Sequence, residues 1–331
     1  MSARSFAQRR PIVLAAAGAA CISSSAVLVQ LANVGAATTA FFRCLLALPV
    51  LGSLAVLEQR RHGPRPRSQR WGAAAAGIAF AVDLILWNHA IGDVGAGVAT
   101  VLGNLQVLFV AAAAWAIFHE RPSARYLAAL PIVTIGVVLV AGIVGGSSFG
   151  HHSVAGILFG LGTSVAYAAF LLILRTVAGG STHVAGPLAD ATAGAAISAL
   201  AIGLAVGSLQ LTPPWPALGW LFALAMLSQT IGWLFITSSL PRLPSAVSSL
   251  MLLLQPAAAL LLAAIVLSQH PTAWQLAGAG LVCCGVLLAA WKSGAPAAAM
   301  ALDPAGDRET VPEHRLGSIT SPVQPFRLTP R

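Results

Sequence analysis

Residues 254–286 read LQPAAALLLAAIVLSQHPTAWQLAGAGLVCCGV, and residues 105–137 read LQVLFVAAAAWAIFHERPSARYLAALPIVTIGV. A shift of 149 positions lays one on the other. Gln106 then falls on Gln255, Pro122 on Pro271, Leu127 on Leu276, and Gly136-Val137 on Gly285-Val286. A fixed offset of this kind marks an internal duplication. In each copy an apolar run meets a short polar break ending in proline, and a second apolar run follows. Two membrane-crossing helices joined by a tight loop have this pattern.

The rest of the chain agrees. Of its 331 residues, 57% are hydrophobic and 8% charged, with a mean hydropathy of +0.84. A soluble chain of this length needs far more charge to cover its surface. Apolar runs fall at about 11–31, 35–57, 71–91, 95–118 and 125–145, then at 154–178, 186–208, 217–239, 245–267 and 273–291. The expected fold is therefore all-α, with ten transmembrane helices in two five-helix repeats, 11–145 and 154–292. Residues 1–10 form a short cytoplasmic N-terminus. Residues 293–331, rich in Pro, Arg and Glu and without apolar periodicity, read as a disordered cytoplasmic tail.

Lys and Arg set the orientation. With the N-terminus in the cytoplasm, inner segments hold seventeen of the eighteen basic residues, and the outer loops hold none. The exception is Arg43, inside helix 2. Five helices per half is an odd number, so the second half enters the membrane inverted. The charges follow that inversion: Asp93 in an outer loop maps to Arg242 in an inner one, and Glu120-Arg121 maps to Gln269-His270. The net charge of +9 is spread over short loops and tails, which excludes a nucleic-acid-binding face. The apolar run after Arg9-Arg10 resembles a signal peptide. It is read as a retained helix because the repeat needs it.

Several polar residues interrupt the apolar runs. Asp83 lies mid-span in helix 3, where a charge costs several kcal/mol unless it faces a cavity or a partner. It titrates or binds a substrate ammonium, or else it is a buried pair or a protonated acid bonded between helices. Trp87 shares its helical face, and Gln229 and Trp233 repeat the spacing in helix 8 at an offset of 146. These pairs line a central cavity, or they are packing and interfacial anchors. Arg43 binds an anionic group, pairs with Asp83, or snorkels to an interface. Asn104, Gln106 and Gln255 line a path or join helices, and Pro256 should loosen helix 9.

Cys21, Cys44, Cys283 and Cys284 all sit in apolar runs and read as packing residues, not disulfides or metal ligands. His151-His152 reads as loop polarity. No metalloprotease, nucleophile-elbow or nucleotide-binding motif is present, so no enzyme and no cofactor is expected.

Phe41-Phe42-Arg43, Asn104-Leu105-Gln106 through His119-Glu120-Arg121-Pro122, and Ile135-Gly136-Val137 resemble the first repeat of the drug/metabolite transporter superfamily, specifically its EamA-type ten-helix exporters. Leu254-Gln255-Pro256 through Gln269-His270-Pro271 and Gly285-Val286 resemble the second. Where that family often has Pro in helix 4 and Glu at the end of helix 9, this chain has Val107 and Gln269. The expected location is the plasma membrane, as a multi-pass protein whose termini the Lys and Arg distribution places in the cytoplasm. The resemblance implies export of a small metabolite, amino acid or drug by alternating access, with proton coupling open. The partners are a small-molecule substrate and the lipid bilayer, not nucleic acid. The oligomeric state, monomer or homodimer, stays open. The rival readings are a non-transporting scaffold or receptor, with no water-filled centre, and a lipid-modifying enzyme, with catalytic residues clustered at one interface.

Overall fold

The computed structural model describes residues 3–118, 124–140, 153–178, 183–239 and 245–290, and nearly all of them are helical. The elements run α1 (Ala3–Ser23), α2 (Ser25–Ala32), α3 (Ala36–His62), α4 (Arg67–Val94), α5 (Ala96–Gly103), α6 (Gln106–Phe118) and α7 (Ala124–Val140). After these come α8 (Ser153–Ala178), α9 (Ala185–Val206), α10 (Trp215–Leu224), a π-helical turn (Ala225–Gly232), α11 (Trp233–Ser239), α12 (Ser245–Val266) and α13 (Ala273–Ala290). The loop His119-Glu120-Arg121-Pro122, the His151-His152 pair, Arg242 and the 293–331 tail lie outside the described residues.

Six segments are long and apolar enough to cross a bilayer: Val13–Ala32, Ala36–His62, Arg67–Val94, Val154–Leu174, Ala185–Val206 and Trp215–Ser239. Ala96–Val110, Ala124–Leu139, Gln255–Val266 and Ala273–Leu288 are apolar but shorter. Polarity is distributed for an apolar solvent. Ile265, Trp215 and Val206 are more than 70% exposed, while Thr38, Thr192, Ser228 and Gln229 are fully buried. In lipid the outside is the cheap place for an alkyl chain, and polar groups must find partners within the protein.

Three of the expected continuous helices are interrupted. The first divides at Ser24, within the run Ser23-Ser24-Ser25, whose hydroxyls each donate to a carbonyl three or four residues back. The fourth divides at Asn104-Leu105, where Ser164 of α8 donates to the Leu102 carbonyl at 2.7 Å. The eighth contains the π-helical turn, and there Thr230 donates at 2.9 Å to the carbonyl of Ala225, five residues back. Hydroxyl side chains thus add donors to carbonyls where the helices are interrupted. Pro256, by contrast, sits inside an unbroken α12.

Packing links the two repeats. The C-terminal end of α3 meets the N-terminal end of α9, where Glu58 accepts from the backbone of Val184 at 2.6 Å and Gly186 at 2.8 Å. At the opposite end, Gln210 beyond α9 donates its backbone N–H to Thr38 at 2.9 Å. The two helices are therefore antiparallel. So are α7 and α13, where Gly136 abuts Gly278 and Val282 while Gly285 abuts Ala129 and Val133. The helix α4 packs antiparallel to α8, with Phe80 on Phe170 and Gly72 on Val177. It packs parallel to α9, where Gly77 and Gly194 let the backbones of Ala191 and Ala74 approach closely. Small residues at such crossings are how membrane helices gain contact without a hydrophobic driving force.

Candidate functional site

Arg43 points inward from α3 and is 5% exposed, so it does not snorkel. Its Nε donates to Gln229 Oε1 at 2.9 Å, and its second guanidinium nitrogen donates to Ser228 Oγ at 3.1 Å. Gln229 passes the chain on, donating from Nε2 to Thr192 Oγ1 at 3.2 Å. A planar fork with several donors suits this task, because one group must hold two acceptors at fixed angles. The bonds tie α3 and α9 to the π-helical turn between α10 and α11. Such turns shift the register of a helix and recur at functional positions.

Asp83 is equally buried on α4. The ion pair with Arg43, one of the alternatives the sequence leaves open, is not formed: among the described residues the ion pairs join Arg65 and Arg70 to Asp190. The Asp83 backbone carbonyl accepts from Thr163 of α8 at 3.3 Å. Arg43 favours neutral acceptors here because Ser228 and Gln229 are presented together on one turn.

Trp87 sits one turn after Asp83 and lies below the Arg43 guanidinium, 6.0 Å from carbon to ring centroid. That is the outer limit of cation–π reach. Its indole also packs beside Gly103, next to the α5–α6 break. Trp233 stands on the other side of the cluster, among Phe80, Tyr167 and Phe170, with ring centroids 6.0–6.2 Å away. Five of the eight residues singled out in the sequence, Arg43, Asp83, Trp87, Gln229 and Trp233, therefore share one neighbourhood.

The other three stand apart from the hydrogen-bonded network. Asn104 donates to the Thr100 carbonyl at 2.8 Å and finishes α5. Gln106 opens α6, and its Oε1 is buried with no hydrogen-bond partner, a position that a donor on a passing solute would satisfy. Gln255 is half-buried on α12.

Thr192, Ser228, Tyr167 and Thr163 belong to the site and were not singled out in the sequence. One of them carries a readable signal. Thr192 lies 149 positions after Arg43, so the repeat offset applied to the buried cation points to the residue that accepts from its partner Gln229. Ser228 and Tyr167 carry no such mark, since single hydroxyl residues are common in apolar helices.

The comparisons with known proteins agree with this architecture. No curated protein matches the chain. One solved structure, described only as a crystal structure of a protein, matches with a TM-score of 0.57 at 16% identity, over 85% of this chain and 98% of that one. At that identity the likeness concerns the fold alone. The family model of the EamA-like transporter family matches twice, over residues 9–142 and 154–291. With both repeats matched, this chain belongs to the EamA-like transporter family.

Proposed function

We propose that the chain is a secondary transporter that exports a small organic solute across the plasma membrane, with both termini cytoplasmic. Ten spans in two inverted repeats would rock about the cluster of Arg43, Asp83, Trp87 and Gln229. The observation that carries this reading is the buried network from Arg43 through Gln229 to Thr192. It joins polar groups of both repeats deep in membrane-crossing helices, where polarity is expensive and tends to be functional. The antiparallel pairing of α3 with α9 and of α7 with α13 supports the inversion, because each pair occupies matching places in the two repeats. The six long apolar segments and four shorter ones support the count of ten.

Arg43 would recognise a carboxylate, the unpaired Gln106 Oε1 a hydroxyl or N–H donor, and the indole and phenyl faces of Trp87, Trp233 and Phe80 an apolar body. Asp83 would take a proton or a substrate ammonium. If transport is proton-coupled, Asp83→Asn abolishes its pH dependence in proteoliposomes, and an unchanged profile removes that role from Asp83. A screen for rescue from toxic amino acids and drugs, comparing cells with and without the chain, tests export itself. A soluble thiol reagent tests the scaffold reading, using single cysteines at positions 83 and 255 in a background without native cysteines. No labelling at either position in any condition favours the scaffold.

A further inference from the structure

The N-terminal end of α4 collects charge of one sign. Arg65, Arg67 and Arg70 lie within its first turn or just before it, the turn has no acidic residue, and Pro66 provides no side-chain cap. A helix N-terminus already carries partial positive charge, so arginines there are on the unfavourable end. Since α9 runs parallel to α4, its N-terminus adds a second positive dipole end at the same face. The carboxylates nearby fall short of neutralising them. Asp190 Oδ2 receives Arg65 at 2.6 Å and Arg70 at 3.8 Å. Glu58 is committed to backbone N–H groups at the start of α9. One guanidinium nitrogen of Arg65 is buried with no partner, and Arg67 is exposed.

Beside these charges lies an open groove of about 540 Å³ between α4 and α9. Arg67, Arg70, Trp71 and Asp190 line its polar end, and Gly194 and Ile197 its apolar end. Trp71 is 76% exposed and Ile197 68% exposed, so this side faces lipid. An exposed tryptophan beside arginines at the end of a membrane helix marks the headgroup level of a bilayer. Gly194, which permits close approach of α4 and α9, leaves the floor of the groove without a side chain.

We propose that this groove binds an anionic phospholipid. Its phosphate would sit between Arg67 and Arg70 at the α4 N-terminus, and an acyl chain would run past Trp71 and Ile197. Basic pockets between membrane helices select anionic headgroups in this way, and each arginine is worth roughly fivefold in affinity. The proposal rests on membrane embedding alone and stands or falls separately from the transport reading.

The test uses the full chain in mixed micelles with lipids brominated in the acyl chain. Trp71 quenching is read as the difference between wild type and Trp71→Phe. Brominated phosphatidylglycerol should bind at least roughly fivefold better than brominated phosphatidylcholine. The preference should fall to near parity in the R67Q/R70Q double variant and by about two- to fivefold in R67Q alone, which leaves the Asp190 contacts intact. The R60Q/R61Q pair, away from the groove, should keep it. Millimolar inorganic phosphate should not displace the lipid. Equal quenching by the two lipids in wild type overturns the proposal, as does a preference unchanged in R67Q. Displacement by phosphate would make this a free-anion site and overturn the lipid assignment as well.

Discussion

At the residue scale, Arg43 is a guanidinium buried within the fold, where its donors need partners. Gln229 and Ser228 accept from two of its five N–H groups, and the network continues from Gln229 to Thr192. Arg43→Lys should therefore behave as a loss. One ammonium cannot reproduce the fork, and transport should fall roughly tenfold or more, equivalent to about 1.4 kcal/mol. Gln229→Leu should strand the guanidinium and lower stability by about 1–3 kcal/mol, read as a lower midpoint of thermal unfolding in detergent. Wild-type transport and stability in both variants would show that the network is ornamental.

At the scale of elements, the interruptions matter more than the helices. At the α5–α6 break the Leu102 carbonyl accepts from both the Leu105 N–H and Ser164 of α8, and the π-helical turn sets Ser228 and Gln229 side by side toward Arg43. The tight crossings hold these parts in place. At Gly194 an added Cβ would run into the backbone of Ala74, whereas at Gly280 it would meet open space. Gly194→Ala should reduce the yield of monodisperse protein on size exclusion and lower the unfolding midpoint, with a cost of about 1–3 kcal/mol or more. Gly280→Ala should leave both unchanged. Equal behaviour of the two variants would mean that α4 and α9 do not pack as described.

At the scale of the whole molecule, the two repeats are laced together through matched helices running in opposite directions. The pairing of α3 with α9 is secured at both ends, by Glu58 at one and by Thr38 with Gln210 at the other. In the proposed alternating access, movement would then come from elements around this pair. On the orientation proposed from the basic residues, Arg67 and Glu58 would lie on the cytoplasmic side and Gln210 outside. In a background without native cysteines, an impermeant maleimide should label Q210C in intact cells and R67C only after lysis. The reverse pattern would overturn the orientation.

The sequence by itself determined that this is a helical membrane protein built by duplication. Low charge, long apolar runs and the 149-residue offset are one-dimensional properties, and a bilayer turns them almost directly into helices. It also marked Arg43, Asp83, Trp87, Gln229 and Trp233, because polar and aromatic residues stand out in an apolar background. Only the tertiary structure decided what those residues do to one another. The Arg43–Asp83 pair suggested by charge gave way to neutral acceptors, because the π-helical turn presents two of them at the right spacing. The break at Ser24 is met locally by serine hydroxyls. The break at Asn104 needed three dimensions, because the hydroxyl that donates to the Leu102 carbonyl belongs to Ser164 of α8, a helix distant in sequence that only the packing brings beside it.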